Sequence, residues 1–440
     1  MPSISKVEQF RQVRSEVRKN KNYLLIGVDV SKSSSVACFY NIEKEILLRK
    51  YHVNHNLEDF QIFACKIEQT MEMNNLKSVV IGVEPTANYH KPLSEYLKNK
   101  GYLVVYVSSV AAKSNRKTMD GGRWGKNDPR DAYNVADLMR QGKIMFYRDE
   151  NTKSADIHKY LLLRQRLMKT KSSLKTRIQN NIWACHFPEL GNIFTTEDPD
   201  VLTLLEHCPS SGHIENMGFQ PFLSIFPPSG SAPISERSKR YLRLAETWQA
   251  AKTSIGFPIP SATTLEAKLI SRDIQRTQKD IAEIDKILSV FCMQNDVYRQ
   301  LLSIPGYGVF TTSVFKSAIN IDNFISDRQI TKFAGLDIET MSSGKFQGKE
   351  KISKKGNSLL RYAVCQAANV AISKNKVIKQ MFQDKLKERG NSKNAKAKLK
   401  IKFVEKFLRA AFVMLKDNVP FDINQFNVPV DDPVLDYVRA

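Results

Sequence analysis

Hydrophobic and polar positions change their spacing along this chain, and the changes divide it. An apolar run, Leu24-Leu25-Ile26-Gly27-Val28, closes on Asp29 and predicts a strand over 22–30. Two more strands are expected at 34–41 and 45–53, with joins short enough for a meander. Leu57, Phe60, Phe63, Ala64, Ile67 and Met71 then recur at helical spacing. A second apolar run, Val79-Val80-Ile81-Gly82-Val83, predicts a strand over 77–84 that closes on Glu84. A helix over 89–100 and a strand over 102–108 follow. Strands alternating with helices after a meander indicate an α/β unit with parallel pairing.

Beyond residue 150 the pattern is helical. Leu161, Leu162, Leu167, Leu174 and Ile178 punctuate a basic stretch over 155–183. Leu265, Leu269, Ile274, Ile281, Ile284, Ile287 and Leu288 do the same over 264–295. Both read as long amphipathic helices, paired antiparallel or forming an intersubunit coiled coil. Between them, 187–262 holds most of the Pro, Ser and Gly punctuation, including Pro227-Pro228-Ser229-Gly230, and reads as an insertion of small helices and loops. A last helix over 393–415 alternates Lys396, Lys398, Lys400 and Lys402 with Ala and Ile before Phe403, Phe407 and Phe412. The expected division is therefore 1–150 (α/β), 151–298 (helical, with the insertion) and 299–440 (mainly α).

Charge narrows the partner. The 440 residues carry a net charge of +22, which favours nucleic acid or an anionic membrane surface. No apolar run approaches the roughly eighteen residues a membrane span requires. The N-terminus, Met1-Pro2-Ser3-Ile4-Ser5-Lys6, lacks the apolar core of a secretion signal. Six scattered cysteines without a C-x-x-C pair suit a reducing cytoplasm, and Cys185-His186 and His207-Cys208 match no zinc spacing.

Four acids then stand out. Asp29 and Glu84 close two strands, and Asp128 and Asp131 lie three apart in Lys126-Asn127-Asp128-Pro129-Arg130-Asp131. Strand ends and one helix face can converge on a point, where gathered carboxylates repel unless a cation neutralises them. Mg²⁺ or Mn²⁺ takes hard oxygen ligands of this kind. Simpler readings exist: Asp128-Pro129 is also a good helix start, and Glu84-Pro85-Thr86 and Asp29-Val30-Ser31 can be plain strand exits. Ile26-Gly27-Val28-Asp29 also resembles the first phosphate loop of actin-like ATPases, but no second Asp-x-Gly-Gly loop follows. In the last third, Ile304-Pro305-Gly306-Tyr307-Gly308 resembles the hairpin of helix-hairpin-helix modules, whose amides reach a DNA phosphate. Ser342-Ser343-Gly344-Lys345 reads from composition as a flexible loop, although a hydroxyl among lysines also suits phosphoryl transfer.

Taken together, these segments resemble the Piv-like DEDD transposases of the insertion-sequence-one-ten family, a group of bridge-RNA-guided recombinases. The matching stretches are Gly27-Val28-Asp29-Val30-Ser31-Lys32, Gly82-Val83-Glu84-Pro85-Thr86, Lys126 through Ala132, and Ala334-Gly335-Leu336 through Ser343-Gly344-Lys345 to Ile352-Ser353-Lys354-Lys355-Gly356-Asn357 and Arg361. Ile338 and Ala87 depart from the family, which tends to have Pro and Gly there. The resemblance implies a ribonuclease H-like (RuvC-like) first domain, a coiled-coil middle and a C-terminal transposase domain. It implies that Asp29, Glu84, Asp128 and Asp131 hold Mg²⁺ or Mn²⁺, and that a serine before glycine, Ser343 rather than Ser342, attacks the phosphodiester. Lys32, Lys126, Arg130, Gly306, Gly308, Lys345, Lys354, Lys355 and Arg361 become candidate nucleic-acid contacts. The implied partners are the element's DNA ends and target, a noncoding guide RNA, and further copies in a homodimer or dimer of dimers; the implied location is the prokaryotic cytoplasm, on the nucleoid. The rival readings are a Holliday-junction resolvase-type metal nuclease, in which water attacks and Ser343 is loop, and a non-catalytic nucleic-acid scaffold.

Overall fold

The computed structural model describes residues 6–43, 45–119, 128–146, 153–226, 233–294, 296–339, 342–343, 346–347 and 351–423. The chain forms two compact units, Met1–Glu150 and Asn151–Ala440.

In the first unit, α1 (Lys6–Lys19) precedes β1 (Tyr23–Val30), β2 (Ser34–Asn41) and β3 (Glu45–Asn54). Then come α2 (Leu57–Met73), β4 (Ser78–Val83), α3 (His90–Asn99), β5 (Leu103–Tyr106), α4 (Ser109–Thr118), α5 (Asp128–Arg140) and β6 (Met145–Phe146). The sheet order is β3-β2-β1-β4-β5-β6. Strands β1, β4 and β5 run parallel, while β2, β3 and β6 pair antiparallel with their neighbours. Helices cover both faces, so the central strands are apolar on both sides. Leu24, Ile26 and Val28 pack with Phe63, Ile67 and Leu93 on one face. Leu25, Val80 and Val105 meet Val135, Ala136 and Met139 of α5, with Val17 of α1, on the other.

Two glycines set how close α5 comes. A Cβ on Gly27 would stand 2.3 Å from the Ala132 oxygen and 2.4 Å from the Ala136 nitrogen, and one on Gly82 would meet Met139 Sδ at 2.2 Å. Gly27 is required because helix backbone lies against strand backbone there.

The second unit is mostly helical. It opens with α6 (Lys153–Arg177) and a π-turn over Ile178–Trp183. Five short helices follow: α7 (Ala184–His186), α8 (Leu190–Ile193), α9 (Asp200–His207), α10 (Ser211–Glu215) and α11 (Phe219–Ser224). Next are α12 (Ile234–Lys252), α13 (Ser261–Met293), α14 (Asp296–Arg299), α15 (Val309–Ala318) and α16 (Asp327–Phe333). Short strands β7 (Ile338–Glu339), β8 (Ser342–Ser343), β9 (Phe346–Gln347) and β10 (Lys351–Ile352) lead to α17 (Ser358–Lys374), α18 (Lys376–Glu388) and α19 (Lys393–Asp417).

Helices α6 and α13 run antiparallel. Ile157 and Leu161 near the start of α6 share a core with Ile284 and Leu288 near the end of α13, while Ile178 shares another with Ala267, Ile270 and Ile274. Arg164 donates to both carboxylate oxygens of Asp285, at 2.6 and 3.0 Å. The first of these cores continues through Phe315, Leu360, Val364, Phe407 and Leu408, so the long helices and the C-terminal helices are built around one interior.

Candidate active site

Asp29 and Glu84 reach one side of the sheet by simple alternation. Leu25 and Gly27 of β1, and Val80 and Gly82 of β4, face α5, and side chains on one face recur every second residue. Asp29 and Glu84 continue these two rows. They leave adjacent parallel strands in register, with Val28 opposite Val83 and the Glu84 amide donating to the Val28 oxygen at 3.3 Å. Helix α5 starts beside them, because Gly27 lets it rest on β1 at Ala132. Asp131, 3 % exposed, lies one residue before that contact. Asp128 is the first residue of the helix, and its side chain lies outside the described residues.

The structure adds a residue that the motifs did not suggest. Arg116, on α4, donates from Nη1 to Asp131 Oδ1 at 2.9 Å, and its Nη2 stands 3.9 Å from Glu84 Oε1. One guanidinium therefore links two of the four acids. Its helix is fastened next door: Asn115 Nδ2 donates to Asn134 Oδ1 and Asp137 Oδ2, each at 2.9 Å, and Asn134 Nδ2 returns to the Ala112 oxygen at 3.0 Å. Arg140 and Gln141 also donate to Asp137. Burial alone would raise the Asp137 pKa, but hydrogen bonds from Asn115, Arg140 and Gln141 outweigh it and hold the carboxyl below its ordinary value of 3.8. The signal is present as Ala112, Asn115 and Arg116 at helical spacing after Ser108, outside the stretches that carry the resemblance.

Among the described residues no group of three His, Cys, Asp or Glu side chains is assembled to hold a metal ion, Asp128 not being among them. The chemistry of the place nonetheless suits a cation. The donors are hard carboxylate oxygens, and a positive guanidinium already bridges two of them. Nearby, Lys32 is exposed in a turn closed by Ser31 Oγ donating to the Ser34 oxygen at 2.7 Å, and Arg130 is exposed on the first turn of α5. Lys126 lies outside the described residues.

The serine segment is a hairpin on a braced stem. Strand β7 pairs antiparallel with β10, and β8 with β9, where Ser343 is opposite Phe346. Gly344 and Lys345, between them, lie outside the described residues, and Ser342 and Ser343 are described in backbone only. Below the hairpin, the Ser353 amide donates to the Asp337 oxygen at 2.8 Å, and Ser353 Oγ to Asp337 Oδ1 at 2.5 Å. The Lys354 amide reaches the Gly335 oxygen at 3.1 Å, and the Asn357 amide the Phe333 oxygen at 2.7 Å. Asn357 Oδ1 caps α17 through the Leu360 amide at 3.0 Å. Arg361 Nη1 donates to the Ala334 oxygen at 2.6 Å, which commits it to the stem. Lys354 and Lys355 are exposed beside it. The two motif segments, 333–337 and 353–361, are thus the two legs of one support.

Of the candidate phosphate-binding glycines, Gly306 has a packing role. Its φ is +84°, and a Cβ there would meet the Ala367 oxygen of α17 at 2.1 Å. Gly308 is exposed and precedes the first amides of α15.

Comparison with known proteins finds transposases at both segments. A DEDD transposase model of the IS110 group matches residues 26–186, which include all four acids, and a model described as "Transposase IS116/IS110/IS902 family" matches 298–383, which include Ser343 and its stem. The transposase for insertion sequence element IS1111A of Coxiella burnetii (strain RSA 493 / Nine Mile phase I) is 25 % identical over 258 residues, 58 % of this chain. The chain spans 58 % of that relative's length. With two models of one transposase group matched in chain order, on the unit that bears the acids and on the segment that bears the serine, the chain belongs to the IS110-type family of DEDD transposases.

Proposed function

We propose that this protein is a DNA recombinase of a mobile element that cuts, exchanges and rejoins strands through a serine ester. The observation that carries the reading is the convergence of Glu84 and Asp131 on Arg116, with Asp29 beside Glu84 at the adjacent strand end. The first unit is read as a ribonuclease H-like domain, in keeping with its three-stranded meander followed by parallel strands.

Asp29, Glu84, Asp128 and Asp131 would hold Mg²⁺ or Mn²⁺. Such an ion would stabilise charge on the scissile phosphate oxygens. Ser343 is the proposed nucleophile. Its oxygen would bond to phosphorus while the bond to one deoxyribose oxygen breaks, and that oxygen would leave as a hydroxyl with a proton gained. The serine ester keeps the energy of the phosphodiester, so the hydroxyl of a second strand can reverse the step without ATP. Lys354 and Lys355, exposed beside the hairpin, are suited to gripping the DNA backbone. The broad positive charge favours backbone contacts, and sequence choice is assigned to a guide RNA. The antiparallel α6–α13 pair is proposed to serve as a coiled coil joining copies in a homodimer or dimer of dimers. Among the described residues no helix is long and apolar enough to cross a membrane.

The deciding experiment traps the ester. A suicide DNA substrate nicked near the crossover should yield protein joined to a DNA end. Ser343→Ala should give no adduct while still binding nucleic acid, and Ser342→Ala should keep part of the activity. Free hydroxyl products without any adduct would instead indicate a resolvase-type nuclease.

A further inference from the structure

We infer that Arg116 is a built-in counter-charge that holds the acidic site together before a cation arrives and gives way when one binds. This rests on the reading of the acids as metal ligands. Arg116 is a positioning residue in this account.

Three observations carry it. The guanidinium contacts Asp131 at 2.9 Å and stands 3.9 Å from Glu84, so it lies between side chains from a strand end and a helix. All three are well covered: the side chains of Arg116, Glu84 and Asp131 are 17, 12 and 4 % exposed. Carboxylates that far from water repel strongly without a cation between them. Finally, the helix that carries Arg116 is anchored independently. Asn115 is held by Asn134, Asp137 and Gln141, and Asn134 by the Ala112 oxygen. Helix α4 is therefore held by bonds other than those Arg116 makes to the acids, and Arg116 itself also donates from Nε to the Ala112 oxygen at 3.4 Å. A divalent ion carries twice the charge in a smaller volume and competes for the same oxygens.

A bystander ion pair and a counter-charge make opposite predictions for metal binding. Removing a bystander loosens the site and weakens or leaves unchanged its hold on a cation. Removing a counter-charge destabilises the empty protein yet takes away a positive group that competes with the incoming ion for Glu84 and Asp131.

The test compares the full-length chain with Arg116→Gln and Arg116→Lys, using Mn²⁺ alone as probe. Isothermal titration calorimetry and Mn²⁺ electron paramagnetic resonance read the affinity, and thermal unfolding reads stability with and without the ion. Arg116→Gln should melt several degrees lower when metal-free, in line with loss of one covered ion pair. It should also bind Mn²⁺ about tenfold more tightly, a change of about 1.4 kcal/mol, and recover most of the lost melting temperature when saturated. Arg116→Lys should restore the melting temperature and the weaker affinity. If Arg116→Gln unfolds outright, Arg116→Lys and Arg116→Met still decide the point. Unchanged or weaker Mn²⁺ binding in the Gln and Met variants, with a wild-type chain that does bind, overturns the inference. A wild-type chain that binds no Mn²⁺, whatever Arg116 is, overturns the metal-site reading beneath it.

Discussion

At the scale of single residues, space is as decisive as charge. Gly27 is the contact through which α5 reaches the sheet, and any Cβ there strikes the Ala132 and Ala136 backbone. Gly27→Ala should push α5 outward, costing about 1–3 kcal/mol by chemical denaturation, and should draw Asp131 away from Glu84. A loss below about 0.5 kcal/mol would show that the helix can shift freely. Asp137 offers a second check. Its carboxyl is held below 3.8, so the folded chain favours the ionised form and the unfolded chain binds the proton more readily. Stability from this group is fully present above pH 3.8 and is lost as pH falls through the depressed folded value. Asp137→Asn should remove that part of the acid limb in a melting-temperature profile against pH, while lowering stability at neutral pH. A parallel-shifted profile of unchanged shape would argue against this linkage.

At the scale of elements, two supports in the second unit can be tested. The hairpin that bears Ser343 stands on the turn at Gly335, whose φ is +66° and whose Cβ would meet Arg361 Nη1 at 2.6 Å. Gly335→Ala should strain that turn and shift the stem, costing about 1–2 kcal/mol. Strand transfer should fall at least about tenfold if Ser343 is the nucleophile proposed above, because a displaced nucleophile loses its alignment. Nucleic-acid affinity measured by filter binding should stay near wild type; a matching loss of both would mean that the stem is itself a binding surface. The second support is the bidentate pair of Arg164 and Asp285 between α6 and α13, with the guanidinium 4.8 Å from the Phe310 ring centroid. Asp285 is 40 % exposed, so solvent screens the pair, and a double-mutant cycle should return only about 1 kcal/mol of coupling.

At the scale of the whole chain, the two units have their own cores. The sheet with α1 to α5 is closed on both faces by residues of the first 150. A fragment of residues 1–150 should therefore unfold in one cooperative transition by calorimetry, and a broad, non-cooperative melt would show that the fold needs the second unit. The charge of +22 acts over the same scale. Affinity for duplex DNA should fall linearly in log Kd against log salt, as counterion release demands. A flat salt response would mean that the basic surface is not the nucleic-acid face.

Much of this protein can be read along the chain, wherever a local rule applies. The strand that carries Asp29 and the one that leads into Glu84 announce themselves because burial on both faces demands continuous apolar runs. The helix from Asp128 does so because Asp-Pro is a start signal that needs no tertiary partner. Parallel pairing of β4 with β5 follows from the strand-helix-strand order, whereas the pairing of β1 with β4 skips two strands and is seen only in the fold. What sequence could not supply was any pairing between distant segments that obeys no repeating pattern. Arg116 is one basic residue among 67 until α4 docks beside α5 and aims it at Asp131. Gly306 looked like a phosphate loop because its amide was legible, whereas the α17 backbone against it was not. Arg361 reads along the chain as a candidate nucleic-acid contact, and its bond to the Ala334 oxygen is visible only in the fold. Local order comes from spacing and backbone preference, which each segment carries by itself. The charge balance of a buried site depends on which side chains the packing forces together, and only the tertiary structure decides that.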